Sequence, residues 1–155
     1  MSFTSRTKEE ILLLNLNKAE VISEISAIIK NIGIIKDNIK ITTENEILAT
    51  YVYNFLQSNY NVNPRVVVRR GYNFNKNYLF MLEINEKIDN IIDDLGINTH
   101  EIKSFLVDDY NLKRAYLTGL FLATGSINDP KTARYHLEFI INDEEYARNI
   151  QDLLN

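Results

Sequence analysis

The sequence contains no cysteine. That excludes a disulfide scaffold, a thiolate zinc or iron–sulfur site and a cysteine nucleophile, and it fits a reducing compartment. Proline and glycine are scarce, at 2 and 5 of 155 residues, and tryptophan is missing. With 45% hydrophobic and 25% charged residues, a collagenous, low-complexity or wholly disordered chain is excluded. No apolar run reaches the roughly 18 residues a membrane helix needs, and the opening Met1-Ser2-Phe3-Thr4-Ser5-Arg6 is too polar for a signal peptide. A cytoplasmic location with no membrane partner is therefore expected. Positive charge is also short: 17 Lys and Arg against 21 Asp and Glu give −4. Whole-chain electrostatics do not draw such a protein to nucleic acid, so any DNA contact needs a local patch.

The usual chemical motifs are missing too. Gly33, Gly71, Gly96, Gly119 and Gly125 never approach the spacing of a nucleotide-binding loop. His100 and His136 are the only histidines, with no second ligand at helical or hairpin spacing, so neither reads as a metal ligand or a general base. The acid pairs Asp93-Asp94, Asp108-Asp109 and Glu144-Glu145 fall at helix ends, where capping accounts for them. No cofactor and no metal are expected.

What is present is an ordered series of helix and strand signals. Ser5 or Thr7 caps a short first helix, and the box Asn17-x-x-Glu20 opens a second whose apolar positions Val21, Ile25, Ile28 and Ile32 lead to Gly33. Ile34 to Thr43 reads as a hairpin turning at Lys36-Asp37-Asn38. A box Thr43-x-x-Glu46 predicts a helix burying Ile47, Leu48, Tyr51, Val52 and Phe55. Val66 to Val68 and Tyr78 to Ile84 form a second hairpin, and Ile88 to Leu95 a helix stopped by Gly96. After a connector at 97–109, a helix from Asp109 to Thr124, a strand over His136 to Ile141 and a helix opened by Asn142-x-x-Glu145 complete the series.

This order repeats. Ile25 to Gly33 overlays Leu117 to Gly125 at an offset of 92, and the downstream strand and helix match at 98, which assigns six extra residues to the second hairpin loop. The expected fold is α+β, a duplicated αββαββα repeat with the second copy truncated. Residues 1–16 form an N-terminal helical arm, 17–96 the first repeat, and 110–155 the incomplete second. On the repeated helices Ser23, Ala27 and Asn31 correspond to Ala115, Gly119 and Ala123, two small-residue ridges that predict a close helix pair. A repeat that stops early leaves an unpaired strand edge, so either self-association or a visibly shorter sheet in the second half is a further expectation.

Leu117-Thr118-Gly119-Leu120-Phe121-Leu122-Ala123-Thr124-Gly125 resembles the motif of the LAGLIDADG homing endonucleases, and Ile25 to Gly33 resembles a degraded first copy. The opening residues, Arg65-Val66-Val67-Val68-Arg69-Arg70, Arg114 to Pro130 and Tyr135-His136-Leu137-Glu138, in that order, resemble the N-terminal domain of the WhiA family of bacterial sporulation regulators. The resemblance implies a LAGLIDADG-like fold around paired motif helices and a role in gene regulation, cell division, sporulation and chromosome segregation. It also implies a C-terminal helix-turn-helix domain. No such pattern follows here, so 1–155 reads as an N-terminal piece.

In active LAGLIDADG endonucleases, the resemblance further implies, an acidic residue just before each motif's final glycine binds divalent metal to neutralise charge in phosphodiester attack. Here those positions hold Ile32 and Thr124, neither of them a carboxylate. Asp37 and Asp129 lie five residues further on, where hairpin turns account for them. An enzyme is not expected. Between Pro64 and Tyr78 the chain carries Arg65, Arg69, Arg70 and Lys76, no acid, and Tyr72 and Phe74. If Val66 and Val68 are core, Arg65 and Arg69 point outward, suited to DNA phosphates or guanine edges. The leading expectation is a non-catalytic DNA-binding domain of a nucleoid-associated regulator, with double-stranded DNA as partner. A protein-interaction scaffold and a degenerate metal-dependent nuclease are the alternatives.

Overall fold

The computed structural model describes residues 2–70, 78–132, 134 and 136–155. Helix α1 (Phe3–Leu12) is capped by Ser2, whose hydroxyl accepts the Ser5 N–H. The expected caps fall inside the helix instead: Thr7 turns its hydroxyl back to the Phe3 carbonyl at 2.8 Å. Helix α2 (Lys18–Ile32) opens with the anticipated box, Glu20 N–H to Asn17 Oδ1 at 2.9 Å and Asn17 N–H to Glu20 Oε1 at 3.4 Å. It runs directly into β1 (Gly33–Ile35), which turns into β2 (Ile39–Thr43).

Helix α3 (Glu46–Tyr60) is capped by Asn45, not Thr43, which stays in β2 and accepts the Asn45 N–H. Its buried stripe contains Leu48, Val52 and Phe55, but Ile47 is 42% exposed because it lies at the solvent end of the first turn. Strands β3 (Arg65–Arg70) and β4 (Tyr78–Ile84) follow, then α4 (Ile88–Leu95), which Gly96 ends at φ +59°, a conformation side chains resist. A connector carrying a short 3-10 helix (Ser104–Leu106) leads to α5 (Tyr110–Thr124), capped by Asp109. Strands β5 (Gly125–Ile127) and β6 (Leu137–Phe139) precede α6 (Glu144–Leu154), capped by Asp143, one residue past the expected Asn142.

All strand pairs are antiparallel, in one sheet ordered β1-β2-β4-β3 and a second of β5-β6. Ile39, Ile41, Leu82 and Ile84 face the helices and close a core with Ile25, Ile28, Leu48, Val52 and Leu56. The duplication is visible in the pairing: Gly33 opposes Ile41 in the first sheet, and Gly125 opposes Phe139 in the second. These pairs are related by the same two offsets, and the difference of six falls between the paired strands, β1 ending at Ile35 and β2 starting at Ile39, β5 ending at Ile127 and β6 starting at Leu137. Both motif helices pass into a strand without a linking residue, and both junctions need glycine. A Cβ on Gly33 would stand 2.4 Å from the Ile29 carbonyl oxygen, and one on Gly125 would stand 2.3 Å from Phe121 Cδ2.

Helix α1 joins the halves. It packs on α3, and Thr4 donates its hydroxyl to the Ile127 carbonyl at 3.0 Å while accepting the Ile127 N–H at 3.1 Å. One side chain thus satisfies the β5 edge where a neighbouring strand would lie.

Candidate nucleic-acid interface

Helices α2 and α5 form the most extensive helix–helix contact of the fold. At their crossing a Cβ on Gly119 would stand 2.2 Å from the Glu24 carbonyl oxygen and 3.0 Å from the Ala27 Cβ, so the α5 backbone lies against α2. The other ridge residues have different surroundings. Ser23 donates to the Leu106 carbonyl at 2.6 Å, tying α2 to the connector, and Asn31 donates to the Tyr146 hydroxyl of α6 at 3.0 Å. Ala115 is buried, whereas Ala123 is half-buried and lines a groove under α1.

The motif ends carry no carboxylate. Ile32 packs against the core, and the Thr124 hydroxyl turns back to the Leu120 carbonyl at 3.3 Å. Asp129 accepts the Lys131 N–H at 2.9 Å, a turn-stabilising bond, and Asp37 lies exposed in the β1–β2 turn. Among the described residues no group of three His, Asp or Glu side chains is placed to hold a metal ion.

Beside the end of α2 opens a cleft of about 670 Å³, lined by Lys30, Asn31, Thr124, His100, Asp143 and Tyr146. Its polar groups are committed to one another. Lys30 donates to the Thr99 carbonyl and lies 4.9 Å over the Tyr146 ring, with burial lowering its pKa. Tyr146 shares a 2.7 Å bond with Tyr116, and burial raises the pKa of both phenols. Asp143 is held below the usual carboxylate range, chiefly by the Tyr146 N–H that it caps and then by His100. The His100–Asp143 pair spans 43 positions, and His136 meets Glu138 at 3.2 Å. Each histidine thus has one acid beside it, His100 through tertiary contact and His136 two residues along the chain.

The four-stranded sheet has a second face, turned away from the helices. Because Ile39, Ile41, Leu82 and Ile84 point inward, their alternates Lys40, Thr42, Met81 and Glu83 point outward. Register carries Arg65, Val67 and Arg69 onto the same face, opposite Glu83, Met81 and Leu79. Arg70 lies opposite Tyr78 on the other face, so the expected cations do not form one patch. Lys76, Tyr72 and Phe74 fall outside the described residues. Val66 and Val68 are each 53% exposed, not core, because β3 is the outermost strand and extends beyond the helices. Two charged residues of the outer face are not singled out by the sequence, Lys40 and Glu83. The alternation Ile39-Lys40-Ile41 was the available signal for the first, but the register across α3 was not.

The family model described as the WhiA N-terminal LAGLIDADG-like domain matches residues 18–98, and the model described as the WhiA LAGLIDADG-like domain matches 113–155. The chain belongs to the WhiA family. It is 33% identical over 165 aligned positions to proteins of Staphylococcus aureus strains JH9 and Newman, both named "Probable cell division protein WhiA". That alignment takes in 100% of this chain and 52% of each relative, so the chain spans about half their length. The crystal structure of full-length WhiA from Thermatoga maritima matches 99% of this chain and 50% of its own with a TM-score of 0.74 at 23% identity. The LAGLIDADG homing endonuclease I-DmoI, solved in complex with its target DNA, matches 88% of this chain and 74% of its own at a TM-score of 0.54 and 14% identity. The WhiA-family fold here is thus the α+β LAGLIDADG-like fold, with a helix–strand–strand–helix unit repeated around paired motif helices. No helix among the described residues is long and apolar enough to cross a membrane.

Proposed function

We propose that this chain is a non-catalytic DNA-positioning domain of a bacterial transcription regulator acting in cell division, sporulation and chromosome segregation, associated with the nucleoid. The observation that carries the reading is the outer face of the four-stranded sheet, where Lys40, Arg65 and Arg69 are brought onto one solvent-facing surface by the register of three strands. Guanidinium and ammonium groups spaced across such a surface suit phosphates and base edges of a duplex, and a homing endonuclease of this fold is bound to DNA in its crystal structure. Loss of the carboxylates at Ile32 and Thr124 supports binding without cleavage.

Two assays test this together. The chain should retard duplex DNA at low salt, and it should leave supercoiled plasmid intact with Mg²⁺ or Mn²⁺. Cleavage that disappears on replacing Asp37 or Asp129 would instead restore the nuclease reading. A scaffold role has its own support, since exposed Val66, Val68 and Tyr78 on the helix side of the outer hairpin suit a protein partner or a second copy. It becomes the better reading if no DNA is retarded.

A further inference from the structure

Resting on the DNA-binding reading of the outer sheet face, the register points to a role for one residue on it. Glu83 lies directly opposite Lys40 on one side and directly opposite Arg65 on the other, so Lys40, Glu83 and Arg65 form a row across β2, β4 and β3. It is the only acid that β1 to β4 place on this face among the described residues. The remaining members are Ile34, Thr42, Leu79, Met81, Val67 and Arg69.

A carboxylate between two cations changes what the row can bind. Opposite charges on directly paired strand positions attract, so Glu83 competes with any phosphate for Lys40 and Arg65. It also repels a phosphate that approaches the row, while Arg69, four residues beyond Arg65, has no acid opposite it. Only a donor satisfies the carboxylate at a DNA surface, and in the major groove the donors are the exocyclic amino groups of cytosine and adenine. The partner Glu83 has inside the protein, Asn85 Nδ2 at 3.2 Å, is exposed and leaves the second carboxylate oxygen for such a contact.

We propose that Glu83 is the selectivity-determining residue of this face: it suppresses sequence-independent phosphate binding by the Lys40–Arg65 row and favours duplexes that present a cytosine or adenine amino group there. Like-charge exclusion of this kind lowers total affinity while sharpening discrimination.

The experiment compares the parent chain with Glu83→Gln, Glu83→Asp and the double variant Arg65→Ala, Arg69→Ala. Each is titrated by anisotropy against a mixed-sequence duplex over a salt series, and against a short duplex library with a randomised centre. Circular dichroism melts verify folding. Glu83→Gln should bind mixed-sequence DNA more tightly, with a log–log salt slope steeper by about 1. It should also lose at least about fivefold of the discrimination among library sequences. Glu83→Asp, which keeps the charge, should behave as the parent does. If Glu83→Gln binds like the parent while the double arginine variant binds more weakly, the selectivity role is overturned and the DNA reading stands. If neither the parent nor Glu83→Gln binds at low salt, both fall. If Glu83→Gln only melts earlier, with unchanged affinity and preference, Glu83 is a structural cross-strand partner and the proposal fails.

Discussion

A Cβ on Gly119 would stand 2.2 Å from a backbone oxygen of α2, which cannot retreat without moving the helix. Gly119→Leu should therefore cost about 1–3 kcal/mol or more through overpacking, read as a lowered melting midpoint. An unchanged midpoint would mean that the helices separate freely. Glu24, on the facing turn of α2, is only 2% exposed, and burial raises its pKa; the neighbouring Tyr51 hydroxyl opposes the rise and Glu20 adds to it. A carboxyl with a folded-state pKa above its unfolded value of about 4.3 contributes stability fully below that value and loses it as pH rises through the folded one. Glu24→Gln should thus flatten the decline of stability as pH rises above about 4.3 and stabilise the chain at the high-pH end of that decline. Melts over a pH series that starts below this value check it, and a parent midpoint that does not fall with rising pH would contradict the shift. Gly119 was readable because it recurs at an internal offset; Glu24 was not, because helical periodicity does not distinguish a buried carboxyl from one at the polar edge of the same face.

At the scale of elements, local signals placed most helices and strands, and the misplacements have a common form. Thr43, Asn142 and Ser5 each match a capping pattern, yet the caps are Asn45, Asp143 and Ser2. Several Ser, Thr, Asn and Asp residues cluster at each helix start, and only the chain's exit angle from the preceding segment chooses among them. Non-local pairings were harder still. That β2 pairs with β4, across an intervening helix and β3, sets the outer-face row and has no sequence signal of its own. The same holds for Thr4, 123 positions from Ile127. Thr4→Val keeps the side-chain shape but leaves the Ile127 N–H and C=O without this partner, which should cost about 1–3 kcal/mol. Amide exchange at Ile127 should quicken in that variant, and unchanged protection would show that α1 does not secure the β5 edge.

For the whole molecule, net charge and local charge point in different directions. The chain carries −4 overall, yet register gathers Lys40, Arg65 and Arg69 on one face and sends Arg70 to the other. DNA binding by such a protein rests on few phosphates, so it should be weak, with a shallow log–log dependence on salt. The measurement that tests the account most directly is the salt dependence of duplex binding for the parent, for Arg65→Ala with Arg69→Ala, and for Arg70→Ala alone. The outer-face reading predicts a log–log slope reduced by about 1 to 2 in the double variant and a parent-like slope for Arg70→Ala. Equal slopes for the parent and the double variant, or no binding by the parent at low salt, would contradict it.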